Sequence, residues 1–143
     1  DEWLEIELNS NLVFEKGSDN LTMKSKKLLA EIASELKDLH LPIQVEGFTD
    51  SAPIRNSQFD SNWELSSLRA TKVLRALIDS GVDGSKISAI GFGSNFPIRD
   101  NATPKGREAN RRVIIAVAKN PKSLRYYSKS QPSHAILDPL KKP

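Results

Sequence analysis

Leu65, Arg69, Val73 and Leu77 recur every fourth residue along a strongly helix-forming stretch. That spacing sets all four in one row on one face of a helix. Such a row faces a core. An arginine within it needs a partner, because a guanidinium buried alone costs several kcal/mol. The chain must therefore bring an anionic or hydrogen-bonding group onto this helix. The expected source is Gly47-Phe48-Thr49-Asp50, at the end of the strand that precedes it. A carboxylate and a guanidinium held together there form either a structural ion pair or a recognition site for a zwitterion.

The rest of the chain reads as alternating strands and helices. From Trp3, Leu4, Ile6 and Leu8 point one way and Glu5 and Glu7 the other, which predicts a half-buried strand running on to Val13. Phe14 to Asp19 is a turn-rich loop. A helix is expected from Thr22 to Leu39, with an apolar stripe of Leu28, Leu29, Ile32, Ala33 and Leu36. Ile43 to Thr49 is a second strand, followed by a polar loop to Ser61. Ser61 or Asn62 caps the next helix, which stops at Gly81. Lys86 to Gly93 is a third strand, and Lys105 to Asn110 a short helix. Arg112 to Ala118 is apolar throughout after its arginine, as suits a central strand buried on both faces. Strands joined through helices run parallel with right-handed crossovers, and their ligand crevice lies beyond the C-terminal strand ends. Asp50 falls there. One domain over residues 1–118 and a polar, proline-containing tail over 119–143 are expected.

Composition removes several classes of chemistry. The chain of 143 residues has no cysteine, so disulfides, zinc–thiolate sites and a cysteine nucleophile are absent. His40 and His134 have no evident partners, and no metal or cofactor is expected. A net charge of +3 gives no reason to expect a nucleic-acid partner. No run of 18 apolar residues occurs, and no signal peptide is visible. Starting at Asp1 and entering a strand at once, the chain reads as an excised fragment. Glu15 with Asp50 suggests a glycosidase pair, but nothing marks either as a raised-pKa acid.

Three blocks carry the remaining information: Gly47-Phe48-Thr49-Asp50, Asn62-Trp63-Glu64-Leu65-Ser66-Ser67-Leu68-Arg69-Ala70, and Asn101 through Gly106-Arg107-Glu108-Ala109-Asn110-Arg111-Arg112 to Val113. In this order they resemble the OmpA-like C-terminal domain family, over about Leu4 to Val117. The family pattern is G-H-T-D, then N-x-x-L-S-x-x-R-A, then N-x-T-x-x-G-R-x-x-N-R-R-V. Pro53-Ile54 and the Asn62–Ser66 run are most similar to the MotB branch, that of flagellar stator subunits. The resemblance implies an α/β two-layer (α+β) sandwich of order β-α-β-α-β-(α)-β with a mixed four-stranded sheet. It also implies non-catalytic binding of peptidoglycan. Asp50 would hold the ammonium of stem-peptide diaminopimelate and Arg69 its carboxylate. Thr49 would add backbone contacts, Asn62 would touch the peptide, and Arg111 would face the same pocket.

By the same resemblance the chain would be the periplasmic part of a protein anchored in the bacterial inner membrane. It would form a homodimer and join an ion-channel stator subunit through a membrane helix outside this sequence. An outer-membrane or secretion-system wall anchor is the alternative within the fold, and a peptidoglycan hydrolase the alternative outside it. Phe48 replaces the family's histidine, and Phe14-Glu15-Lys16-Gly17 replaces the F-D-x-N loop of outer-membrane members. Arg107 and Arg112 read as structural ties, Trp63 as a packing residue, and Phe92 and Phe96 as core or loop anchors.

Overall fold

Local capping chemistry sets the element boundaries in the computed structural model, which describes residues 2–123 and Arg125. β1 (Trp3–Asn9) is shorter than the alternation predicted. The Asn9 side chain accepts from the Asn11 N–H at 2.8 Å, and Ser10–Val13 coils into a single helical turn, α1. Thr22 caps α2 (Met23–Leu36) by accepting from the Ser25 N–H. Leu28, placed on the apolar stripe by its spacing, is instead 41% exposed, while Leu29, Ala33 and Leu36 are buried. β2 (Ile43–Phe48) leads to the Asp50 loop. Ser61 caps α3 (Asn62–Asp79). β3 (Ile87–Gly93), α4 (Pro104–Asn110) and β4 (Arg112–Ala118) complete the order.

The strands lie in the order β1-β4-β2-β3. β2 and β3 are parallel, while β4 inserts between β1 and β2 and runs antiparallel to both. The sheet is therefore mixed and four-stranded, and the family resemblance gave this correctly. β4 is buried along its whole length. Val113, Ile115 and Val117 face the core formed with Leu29, Ala33, Ala70, Val73 and Leu77. Ile114, Ala116 and Ala118 face a smaller cluster with Trp3 and Phe48 on the opposite face. α3 lies directly on β2 and β3 because Gly47 and Gly91 present no side chain to it. A Cβ at Gly47 would stand 2.2 Å from the Ser66 carbonyl oxygen.

No helix among the described residues is long and apolar enough to cross a membrane. Residues 126–143, most of the expected tail and His134 with them, lie outside the described residues.

Candidate functional site

The strand ends and the loops after β1 and β2 enclose a cleft of about 590 Å³. Thr49, Asp50, Asn62, Arg69 and Arg111 all line it, together with Ser10, Phe14, Glu15, Lys16, Gly17, Pro53, Ile54 and Leu65. All five residues singled out from the sequence thus meet in one place, although they span three separate blocks of the chain.

Their pairing differs from the sequence expectation. Asp50 does not bond to Arg69. Its Oδ2 accepts from Arg111 at 2.6 Å, and its Oδ1 accepts from the Ala52 N–H at 2.9 Å. Arg69 instead donates from Nε to the Ser18 carbonyl at 2.9 Å, and its guanidinium lies over the Phe14 ring, 4.9 Å from the centroid. The reason is positional. The loop between Phe14 and Leu21, which are bridged to each other, turns through Gly17 at a φ of 65° and presents Ser18 to α3. Helical spacing showed that Arg69 needs a partner but could not choose between a carboxylate and a carbonyl.

Arg69 is 7% exposed, and burial pushes its pKa down to about 10, opposed by Asp19. It therefore stays charged at neutral pH. Its two terminal nitrogens make no hydrogen bond to the described residues, so one planar fork remains for a ligand. The cleft thus holds an anion at Asp50 and a cationic fork at Arg69. Together these match a group carrying an ammonium and a carboxylate.

The other residues brace the loop. Thr49 donates from Oγ1 to the Asp50 carbonyl, and its N–H donates to Gly93. The Asn62 amide donates to the Ala52 carbonyl at 3.0 Å and, at 3.4 Å, to that of Asp50. Phe59, 2% exposed, anchors the far side of the same loop. Ser10 Oγ is buried at the cleft without a hydrogen-bond partner among the described residues.

Sequence reasoning gave Asn110 no role, although it stands in the third block. It is fully buried. Its Oδ1 accepts from the Ile98 and Arg99 N–H groups, and its Nδ2 donates to the Arg99 carbonyl and to Asn101 Oδ1. Asn101 in turn accepts from the Ser51 N–H at 3.4 Å, which ties the third block to the residue after Asp50. Asn110→Ala is expected to cost about 2–4 kcal/mol, since four hydrogen bonds of a fully buried amide are lost at once. A denaturant titration measures it.

Arg107 ties the Asn101 carbonyl at 3.0 Å. Arg112 lies 3.8 Å over the Phe48 ring and donates to the Phe96 carbonyl. The structural roles read for both arginines hold. Phe48, where the family has histidine, is thus a stacking platform for Arg112. Trp63 is 56% exposed, with its indole against Gly93. Phe92 stacks on Phe48 at 5.1 Å, whereas Phe96 is 52% exposed. No group of His, Asp or Glu suited to a metal ion occurs among the described residues.

The fold is that of an OmpA-like α/β sandwich. The model of the OmpA family matches residues 13–111, and the chain belongs to that family. It is 36% identical over 119 residues to motility protein B of Bacillus subtilis, covering 81% of this chain and 45% of that protein. The periplasmic domain of Helicobacter pylori motility protein B superposes with a TM-score of 0.76 at 33% identity, covering 82% of this chain and 77% of that one. The cell wall anchor of the type VI secretion system from Pseudomonas aeruginosa superposes with a TM-score of 0.77 at 30% identity, covering 81% of each. The chain spans about half the length of the curated motility proteins it matches.

Proposed function

We propose that this chain is the peptidoglycan-binding part of a flagellar-motor stator protein, and that it anchors the stator to the wall without cleaving it. The observation that carries the reading is that Asp50 and the free fork of Arg69 line one cleft without bonding each other. The amino-acid centre at the end of a diaminopimelate side chain presents an ammonium and a carboxylate, one for each. In this reading Asp50 takes the ammonium and Arg69 the carboxylate. Arg111 shares Asp50 and adds positive charge for a second carboxylate. Thr49 fixes the backbone at Asp50, and Asn62 holds the loop against which the peptide lies.

Likeness to motility protein B supports the stator assignment over other wall anchors. On that reading the domain sits in the periplasm as the soluble part of an inner-membrane protein. It pairs with a second copy and joins a channel subunit through a membrane helix upstream. Likeness to a secretion-system anchor favours a second reading with the same ligand chemistry. The sequence upstream of Asp1 separates them, since a stator requires a single membrane helix bearing an aspartate.

Incubation with purified diaminopimelate-type sacculi tests the function itself. The domain is expected to sediment with them and to release no soluble fragments. Failure to sediment would contradict binding, and release of soluble muropeptides would make the protein a hydrolase.

A further inference from the structure

Glu46 is 0% exposed, in the middle of β2 and facing away from α3. A carboxylate so placed needs a cation. It comes from beyond β4. After Ala118 the Lys119 N–H donates to the Glu2 carbonyl, and a turn at 120–123 reverses the chain. In that turn the Ser123 N–H donates to the Asn120 carbonyl and the Lys122 N–H to Asn120 Oδ1. Arg125 is thereby carried back over the sheet. Its Nε donates to Glu46 Oε2 at 2.9 Å and its terminal nitrogen to Glu46 Oε1 at 3.1 Å. The same terminal nitrogen also bonds Glu5 on β1. Gln44 donates to Glu46 Oε2 at 2.8 Å. The guanidinium lies 5.5 Å from the Trp3 ring centroid. Two carboxylates, one of them met in a two-pronged contact, with an aromatic face beside them, make a site specific for a guanidinium.

We propose that Glu46, Glu5, Gln44 and Trp3 form a guanidinium-binding socket on the sheet face opposite α3, and that Arg125 seated in it is the latch that ties the turn after β4 to that face. The socket joins β1 and β2 across β4, so the latch also staples three strands. It lies outside the charged cleft and stands whether or not the wall-binding reading does.

Proteolysis of the full chain by a lysine-specific protease tests the latch. Cleavage after Lys122 is expected to be slow in the wild type and about tenfold faster in Arg125→Ala and in Glu46→Gln, because each opens the segment locally. Arg125→Lys keeps the charge but loses the fork, and is expected to fall between. Equal rates in the wild type and a well-folded Arg125→Ala would overturn the proposal. A measurement on the unmodified protein covers the case in which the variants fail to fold. The Arg125 Nε–H is expected to exchange on the order of 100-fold more slowly than those of the exposed Arg55 and Arg75. Exchange at the same rate would equally refute the socket.

Discussion

Arg69→Ala is expected to lower binding to diaminopimelate-type sacculi by about 10–100-fold while the domain stays folded. The size follows from removing one charge-assisted contact, worth about 1.5–3 kcal/mol. The fold survives because Asp50 does not depend on Arg69: its oxygens are already met by Arg111 and the Ala52 N–H. Had the two formed an isolated buried pair, the loss would be about 3–5 kcal/mol. What the mutation does break is the bond to the Ser18 carbonyl and the contact with Phe14. Together these are worth about 1–2 kcal/mol.

A second effect works the other way. The pKa of Arg69 is lower folded than unfolded, so keeping it charged costs stability at every pH below about 10, and stability would rise only above that value. The alanine variant is relieved of that cost. Asp50→Asn should lose binding to a similar extent. It leaves Arg111 without its carboxylate, but that side chain is 30% exposed and water replaces the partner cheaply. Sacculus co-sedimentation beside a denaturant melt separates the outcomes. A collapsed melt, or retained binding in folded Arg69→Ala, would contradict the assignment.

Gly47→Ala is expected to cost about 3–5 kcal/mol, among the largest effects of any single methyl group in this chain. The added Cβ would stand 2.2 Å from the Ser66 carbonyl oxygen. That atom is helix backbone and has no rotamer by which to move aside. α3 would have to lift from the sheet, and because it packs just as closely on β3, where a Cβ built at Gly91 would stand 2.4 Å from the Ser67 nitrogen, lifting it opens both contacts. Lifting α3 also carries Asn62, Leu65 and Arg69 out of the cleft, so binding should fall with stability. Chemical denaturation reads the first effect and sacculus binding the second. A loss below about 1 kcal/mol would show that the helix has room to spare.

The strand and helix order was legible because each element carries its own periodicity and its own stop. Ser61 before α3, Thr22 before α2 and the apolar run of β4 are local signals, and local signals survive into the fold. The place of β4 between β1 and β2 was not written in any periodicity. Its burial on both faces said that it is central and the family pattern said that the sheet is mixed, but neither said beside which strands it lies. The charged and polar residues named from the three blocks all line the cleft, but its wall from Ser10 to Gly17 and its wiring were not legible. A helical row shows that Arg69 is buried, but a carbonyl such as that of Ser18 has no side-chain signature, and the loop that presents it is fixed by tertiary contacts. Asn110 escaped notice for the same reason: an amide that bonds four main-chain and side-chain groups looks, in sequence, like any polar residue at a helix end. Glu46 carried no sequence signal of its own within the second strand. Its burial depends on Arg125, seventy-nine positions away.

In the proposed function the cleft reads an ammonium and a carboxylate on one centre. Calorimetric titration of the wild-type domain with two stem peptides, identical except for diaminopimelate or lysine at the third position, tests it most directly. Lysine keeps the ammonium for Asp50 and lacks the carboxylate for Arg69. The lysine peptide is expected to bind about 10–100-fold more weakly. Equal affinity for the two peptides would contradict it.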